Sequence, residues 1–417
     1  MIFDDLDELD SAKTKIKVIG VGGAGKNAID HMIENEVLGV EFWAVNTDAQ
    51  DLKMSKAPNK LLIGKTTTHG QGAGANPEVG RSAALEDEDD IHEMIGDAQM
   101  VFITCGMGGG TGTGAAAVIA KVAKEHSCLV VGICTKPFAF EGPVRMANAV
   151  AGLESLRENV DTLIVIPNQR LLQMVDTSTD ILAAFREADN VLRKGVQGIA
   201  EIIAIPGLIN VDFADVNTVM KKKGTALLGI GVAKGPNRAI EAARNAIHSP
   251  LLEVTIDGAT DAIVNINAST SLTLTEVDQT IEEIRNNSGK DLNIIFGAAI
   301  NTDLKDELVV TVVATGYELK AQKSGFDELR QQIFKNMSDE NISYTSVEED
   351  DEYVEPAIDA REKDREIFDN ISPREEKRRI KEEKRRQKEL EKERIRNEKN
   401  ANSQPKSKLP DWLRRDQ

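Results

Sequence analysis

The stretch CGMGGGTGTGAAAV (105–118) follows an apolar run, MVFIT (100–104), and opens a helical pattern. Gly106, Gly108, Gly109, Gly110, Gly112 and Gly114 place six glycines in nine positions, interleaved with Thr111 and Thr113. A glycine costs up to about 1 kcal/mol of conformational entropy relative to alanine, so this density implies an offsetting role. Bare backbone N–H groups beside threonine hydroxyls at a helix start make an anion cradle deep enough for several phosphates.

An earlier loop, GVGGAGKNA (20–28), also joins a strand pattern to a helix pattern. Gly20, Gly22 and Gly25 satisfy the G-x-G-x-x-G of dinucleotide-binding folds. Gly20, Gly25 and Lys26 satisfy the P-loop pattern until Asn27 stands where Ser or Thr would hold magnesium. A third small-residue stretch, GQGAGANPEVG (70–80), sits on another connection. Around these loops IKVIG (16–20), VEFWAVNT (40–47), MVFITCG (100–106), LVVGICT (129–135) and TLIVIP (162–167) read as strands. Some are apolar almost throughout, as parallel strands buried on both faces are. Alternation with helical segments predicts an α/β fold with a doubly wound, Rossmann-type parallel sheet. In such a sheet the strand ends meet at one edge, where the three loops can converge on one ligand. There is no complete P-loop and no N-K-x-D sequence to read guanine, so a nucleotide must be held by a different kind of site. A dinucleotide oxidoreductase would use Asp48 for ribose, but it gives 106–114 no role and finds no catalytic His or Tyr arrangement.

The remaining chain divides by pattern. Residues 1–12 are an acidic arm and 13–177 the nucleotide-binding domain. Residues 178–206 form a long central helix with Ile181, Phe185, Ala188, Leu192, Val196, Ile199 and Ile203 on its apolar stripe. Ser178 or Thr179 can cap its start, and Pro206 follows its end. Residues 207–320 read as a second, α+β domain, helix-rich at first and then a small mixed sheet from DAIVNINAST, DLNIIFGAAI and ELVVTVVATG. Residues 321–400 are a charge-dense linker whose 374–399 segment is either a salt-bridged single helix or a disordered tether. Residues 401–417 regain apolar character around Trp412, a good docking anchor.

Composition narrows the classes. A net charge of −18 over 417 residues argues against direct nucleic-acid binding and against an anionic membrane as main partner. Cys105, Cys128 and Cys134 lack metal-ligand spacing and read as buried, reduced thiols. The five histidines are scattered, so no protein-held metal site is expected. No apolar run approaches the roughly 20 residues that span a bilayer. The acidic start reads as no leader, and the chain as cytosolic.

GGGTGTG (108–114) stands with GAGANPEVGR (72–81), NTDAQ (46–50), TKPFAFEG (135–142) and NVDFADV (210–216). On these motifs the chain resembles the tubulin/FtsZ family over Lys15 to Gly316, and LPDWLRR (409–415) resembles that family's docking peptide. The resemblance implies a tubulin-like GTPase of the bacterial division ring that polymerises head to tail and hydrolyses GTP between subunits. Carried over by motif, Gly23, Ala24, Gly25, Lys26 and Asn27 contact the nucleotide. Gly108, Gly109, Gly110, Thr111, Gly112, Thr113 and Gly114 surround the phosphates, with Ala73, Gly74 and Ala75 near the γ-phosphate. Glu141 and Arg145 hold the ribose side, and Asn27, Asn168, Phe185 and Asp189 surround guanine. Asp189 can accept from both guanine N1–H and the 2-amino group, which adenine does not offer in that pattern. For Phe185, core packing and base stacking both remain open. Lys26 replaces the family's usual Gly or Asn; it either adds a cation near the phosphates or, the favoured reading, points to solvent. Asp215 read alone is a helix cap and Asp212 a surface acid. The resemblance implies that with Asn210 they enter the adjacent subunit's pocket as catalytic groups. It further implies GTP or GDP with Mg2+ held mainly by the nucleotide, and a membrane-tethering, FtsA-like adaptor bound through Leu409–Arg415. The expected location is the cytoplasm at midcell.

Overall fold

The apolar runs pair as parallel strands. A computed structural model describes residues 14–173, 180–205, 207–252, 256, 258–288 and 292–317. In it β1 (Ile16–Val21), β2 (Glu41–Asn46), β3 (Asn59–Leu62), β4 (Met100–Gly106), β5 (Leu129–Lys136) and β6 (Thr162–Pro167) lie in the order β3-β2-β1-β4-β5-β6. All five pairings are parallel. Side chains alternate between two helical layers. Val18, Phe102 and Val131 face α1 (Gly22–Glu34). Ile19, Ile103 and Val130 face a layer that includes α3 (Pro77–Glu86), α4 (Glu88–Ile95), α5 (Thr111–Glu125) and α6 (Pro143–Asn159). Burial on both faces is why β1, β4, β5 and β6 are mostly apolar, whereas β2 and the edge strand β3 carry Glu41, Asn59 and Lys60. A short helix, α2 (Ala49–Met54), follows β2.

The central helix is α7 (Ile181–Ala204), unbroken through Gly195 and Gly198. A Cβ at those positions would meet Leu228 at 3.0 Å and Thr311 at 2.8 Å, so the glycines let the helix press against neighbouring strands. Its cap is Asp180, whose carboxylate accepts from Ala183 N at 2.7 Å. The expected caps Ser178 and Thr179, and Pro206, lie outside the described residues.

The chain after α7 departs from a helix-rich reading. Following α8 (Phe213–Met220) comes an 11-residue strand, β7 (Gly224–Lys234), and then α9 (Arg238–Ile247). Gly229 and Gly231 hid the strand pattern. A Cβ on either would overlap the carbonyl oxygen of Ala246 or Ala242 in α9, so close strand–helix packing demands glycine there. β8 (Asp261–Ala268), β9 (Asn293–Ile300) and β10 (Glu307–Thr315) complete a mixed sheet in the order β7-β10-β8-β9, covered by α9 and α10 (Leu274–Ser288). This sheet is not separate: Gly224, Thr225 and Ala226 pair in parallel with β6, which makes ten continuous strands. The arm 1–12, the linker 321–400 and the peptide 401–417 lie outside the described residues.

Candidate functional site

Strand order reverses between β1 and β4, the place where an open α/β sheet forms a crevice at its carboxyl edge. The two glycine loops meet there. Gly22 has φ +71°, and a Cβ on it would stand 2.9 Å from Gly112 N. Above them lies a cavity of about 310 Å3 bounded by the ends of β1, β4, β5 and β6 and by α7.

Gly23, Ala24 and Asn27 line this cavity from α1, and Gly109, Gly110, Thr111 and Gly112 from the second loop and the start of α5. Arg145, Glu141, Asn168, Phe185 and Asp189 line it from the other side. Thr111 is fixed from behind by a 2.7 Å hydroxyl contact with Thr47. Glu141 and Arg145 form a 2.6 Å ion pair. Phe185 is 40% exposed, with its edge to Phe138 at 5.4 Å, so it is a cavity wall and not a core residue. The buried Asn168 Oδ1 has no hydrogen-bond partner among the described residues, which suits a ligand donor. Burial pushes the Asp189 carboxyl up to about 7; Lys26 opposes the rise and Asp30 adds to it.

Other expected site residues stand elsewhere. Gly25 and Lys26 lie on the buried face of α1. Lys26 does not point to solvent: it is 7% exposed and pairs with Asp30 at 3.4 Å and Asp51 at 3.2 Å. Two acids behind the loop hold the ammonium away from the cavity. Gly108, Thr113 and Gly114 are also outside the lining. Thr113 Oγ1 accepts from Gly108 N at 2.9 Å and so braces the loop, while Gly114 lets α5 touch α3. Ala73, Gly74 and Ala75 border the cradle without lining it: a Cβ on Gly110 would stand 2.7 Å from the Ala73 Cβ. Ala75 is held at φ +59°, an uncommon conformation for a residue with a side chain. Asp48 caps α2 by accepting from Gln50 N and Asp51 N, which removes it as a free ribose ligand.

Asn210, Asp212 and Asp215 are exposed and lie outside the cavity. Asp212 is the N-cap residue of α8 without a side-chain capping bond, and Asp215 is in the first turn. Asn210 Oδ1 accepts from Gly207 N at 2.6 Å. From Asp189 to Ala204 the helix climbs about 22 Å at 1.5 Å per residue, and the carboxylates follow beyond that end. Sequence reasoning missed Thr135, Pro137, Ala188 and Leu192 among the lining residues. Ala188 and Leu192 flank Asp189 at helical spacing, and Thr135 and Pro137 lie inside TKPFAFEG, so the signals were present.

Fold and site together define a nucleotide-binding protein of the tubulin type. Residues 15–176 match the family model described as the tubulin/FtsZ family, GTPase domain, and residues 224–318 the one described as the FtsZ family, C-terminal domain. A mutant FtsZ from M. jannaschii is similar at 45% identity over 76% of this chain and 95% of that one, with TM-score 0.72. An empty FtsZ dimer from the same organism is similar at 44% identity over 78% and 94%, also with TM-score 0.72. A GTPγS-bound protofilament of CetZ2 from Haloferax volcanii shares the fold at 21% identity, covering 78% of this chain and 100% of that one, with TM-score 0.65. The chain belongs to the tubulin/FtsZ family and is a GTPase. No helix among the described residues is long and apolar enough to cross a membrane.

Proposed function

We propose that the cavity holds GTP, that protomers stack head to tail, and that each completes the active site of its neighbour. The observation that carries this reading is the separation of parts. Glycine-loop backbone and the side chains of Asn168, Phe185 and Asp189 line the cavity, while the exposed Asp212 and Asp215 stand beyond the far end of the helix that walls it. A rigid 24-residue helix does not bend its own end back to its start, so the carboxylates serve another copy's nucleotide.

The phosphates rest on the N–H groups of Gly110, Thr111 and Gly112 and on the N-terminus of α5. Loop 72–76 borders the γ-phosphate. Phe185 stacks on guanine, Asp189 accepts its N1–H and amino group, and Asn168 Oδ1 accepts a further donor. The acids lining the cavity are Glu141, paired with Arg145, and Asp189, on the base side. A Mg2+ ion would therefore be held by the phosphates and water, where it would neutralise charge on the γ-phosphate. Asn210, Asp212 and Asp215 of the adjoining copy orient the attacking water. Phosphoryl transfer depends mainly on positioning and electrostatics, so docking this loop switches hydrolysis on. The polymer then serves as a cytoplasmic division ring at midcell, tethered through Leu409–Arg415 to an FtsA-like adaptor.

The test is GTP turnover against protein concentration. Assembly-coupled hydrolysis gives a threshold followed by a rise, and Asp212→Ala retains GTP binding and filaments while losing most turnover. A straight line through the origin, with turnover intact in Asp212→Ala, would sink the proposal.

A further inference from the structure

At the edge of the sheet opposite the cavity, two histidines far apart in sequence meet. His92 is on α4, and His126 is the C-cap residue of α5. His126 Nδ1 lies 2.9 Å from Gly96 O. A carbonyl only accepts, so this nitrogen carries the proton, and neutral His126 keeps its lone pair on Nε2. His92 Nε2 faces the Glu125 carboxylate at 3.7 Å, which also favours a proton there. The two inner nitrogens, His92 Nδ1 and His126 Nε2, are 2.9 Å apart. With both outer nitrogens protonated, two lone pairs confront each other. Moving the His92 proton inward makes one N–H···N bond but turns the Nε2 lone pair toward Glu125. A cation between the rings satisfies all four nitrogens at once.

We propose that His92 Nδ1 and His126 Nε2 bind a borderline divalent transition metal of the zinc, nickel or copper class, with water completing its coordination. Imidazole pairs select these ions over magnesium and calcium. The outer contacts follow the pattern found around ligating histidines: the Gly96 carbonyl, 2.9 Å from His126 Nδ1, fixes the tautomer of that ring, and the Glu125 carboxylate stands 3.7 Å from His92 Nε2. Two Zn–N bonds of about 2.0–2.1 Å at a tetrahedral angle place their nitrogens about 3.3 Å apart. The pair therefore needs to open by only about 0.4 Å. The His92 side chain is 38% exposed, which leaves room for water ligands. No cluster of three or more ligating side chains suited to a metal occurs among the described residues, so this is a two-ligand, exchangeable site and not a closed structural one. Metal binding would tie α4 to the C-terminal end of α5, whose other end, about 22 Å away, forms the cradle.

Tag-free, full-length protein titrated calorimetrically with zinc chloride in excess Mg2+ tests this, because Mg2+ occupies oxygen-only sites. One equivalent of zinc is expected. It should be lost in His92→Gln and in His126→Gln and kept in His69→Gln, an exposed histidine elsewhere. Glu125→Gln should weaken binding about tenfold, the effect of removing an outer partner. Unchanged GTP turnover in each variant shows that it folds. As a readout free of mutation, zinc should shift the 15N resonances of His92 Nδ1 and His126 Nε2 in the native chain. Equal zinc binding by the native chain and His92→Gln would overturn the proposal. So would no zinc binding by the native chain, since a proton alone then sits between the rings.

Discussion

Asp189→Asn, compared with the native chain across pH, isolates the guanine contact. Burial holds the free carboxyl up to about 7 against an ordinary 3.8. A protonated carboxyl presents a donor where guanine N1–H also donates, so binding requires the ionised form. If the two guanine donors return the group to near its ordinary value, linkage makes binding about 90-fold weaker at pH 5 than at pH 8, or about 2.6 kcal/mol. Calorimetry with GDP avoids turnover during the titration. At pH 6 the native chain should release about 0.9 proton on binding, seen as heat that varies with the buffer. Asp189→Asn keeps the shape but loses a charge-assisted bond. It should bind about 1.5–3 kcal/mol more weakly at pH 8. The phosphates titrate alike in both proteins, so the two curves should converge toward pH 5. Parallel curves from pH 5 to 8 would refute a carboxylate-based guanine contact. The same proton acts on stability. Between pH about 4 and 7 the folded, nucleotide-free chain holds it and the unfolded chain does not. Stability should therefore fall by up to about 4 kcal/mol as pH rises through that window.

Arg238 is 4% exposed and pairs with Glu276 at 2.6 Å, so Arg238→Ala leaves a partly buried carboxylate without its cation. It should destabilise the chain by about 3–5 kcal/mol in denaturant unfolding. Gly114→Ala places a Cβ on the Pro77 carbonyl oxygen and 2.6 Å from Arg81 N, forcing α5 from α3. It should lower stability by about 1–3 kcal/mol, read as a reduced Tm, and weaken GTP binding because α3 anchors loop 72–76. Deleting 409–417 should spare polymerisation, measured by light scattering, and abolish adaptor binding. Loss of polymer on this deletion would place the peptide in the filament.

The parallel sheet and the glycine loops at its carboxyl edge were legible in the sequence. Strands buried on both faces favour apolar residues, and backbone that closes on backbone, as Gly22 does on Gly112, requires glycine, so both constraints leave a local mark in the sequence. The motifs also grouped Asn168, Asp189 and Phe185, and these three line one cavity, although only the structure, with Phe185 40% exposed, decided that this ring is a cavity wall and not core. Where two residue types compete, composition misled: Gly229 and Gly231 disguised β7, because their reason is a helix that crosses them. Lys26 was misread as solvated, although Gly22, Gly25, Lys26 and Ile29 share one helical face and could have been read as buried together. Tertiary structure alone decided that Asp30 and Asp51 capture that lysine. It alone set Asp212 and Asp215 a helix length from the cavity and brought His92 to His126. Each of these depends on distances between segments far apart in the chain, which local periodicity does not encode.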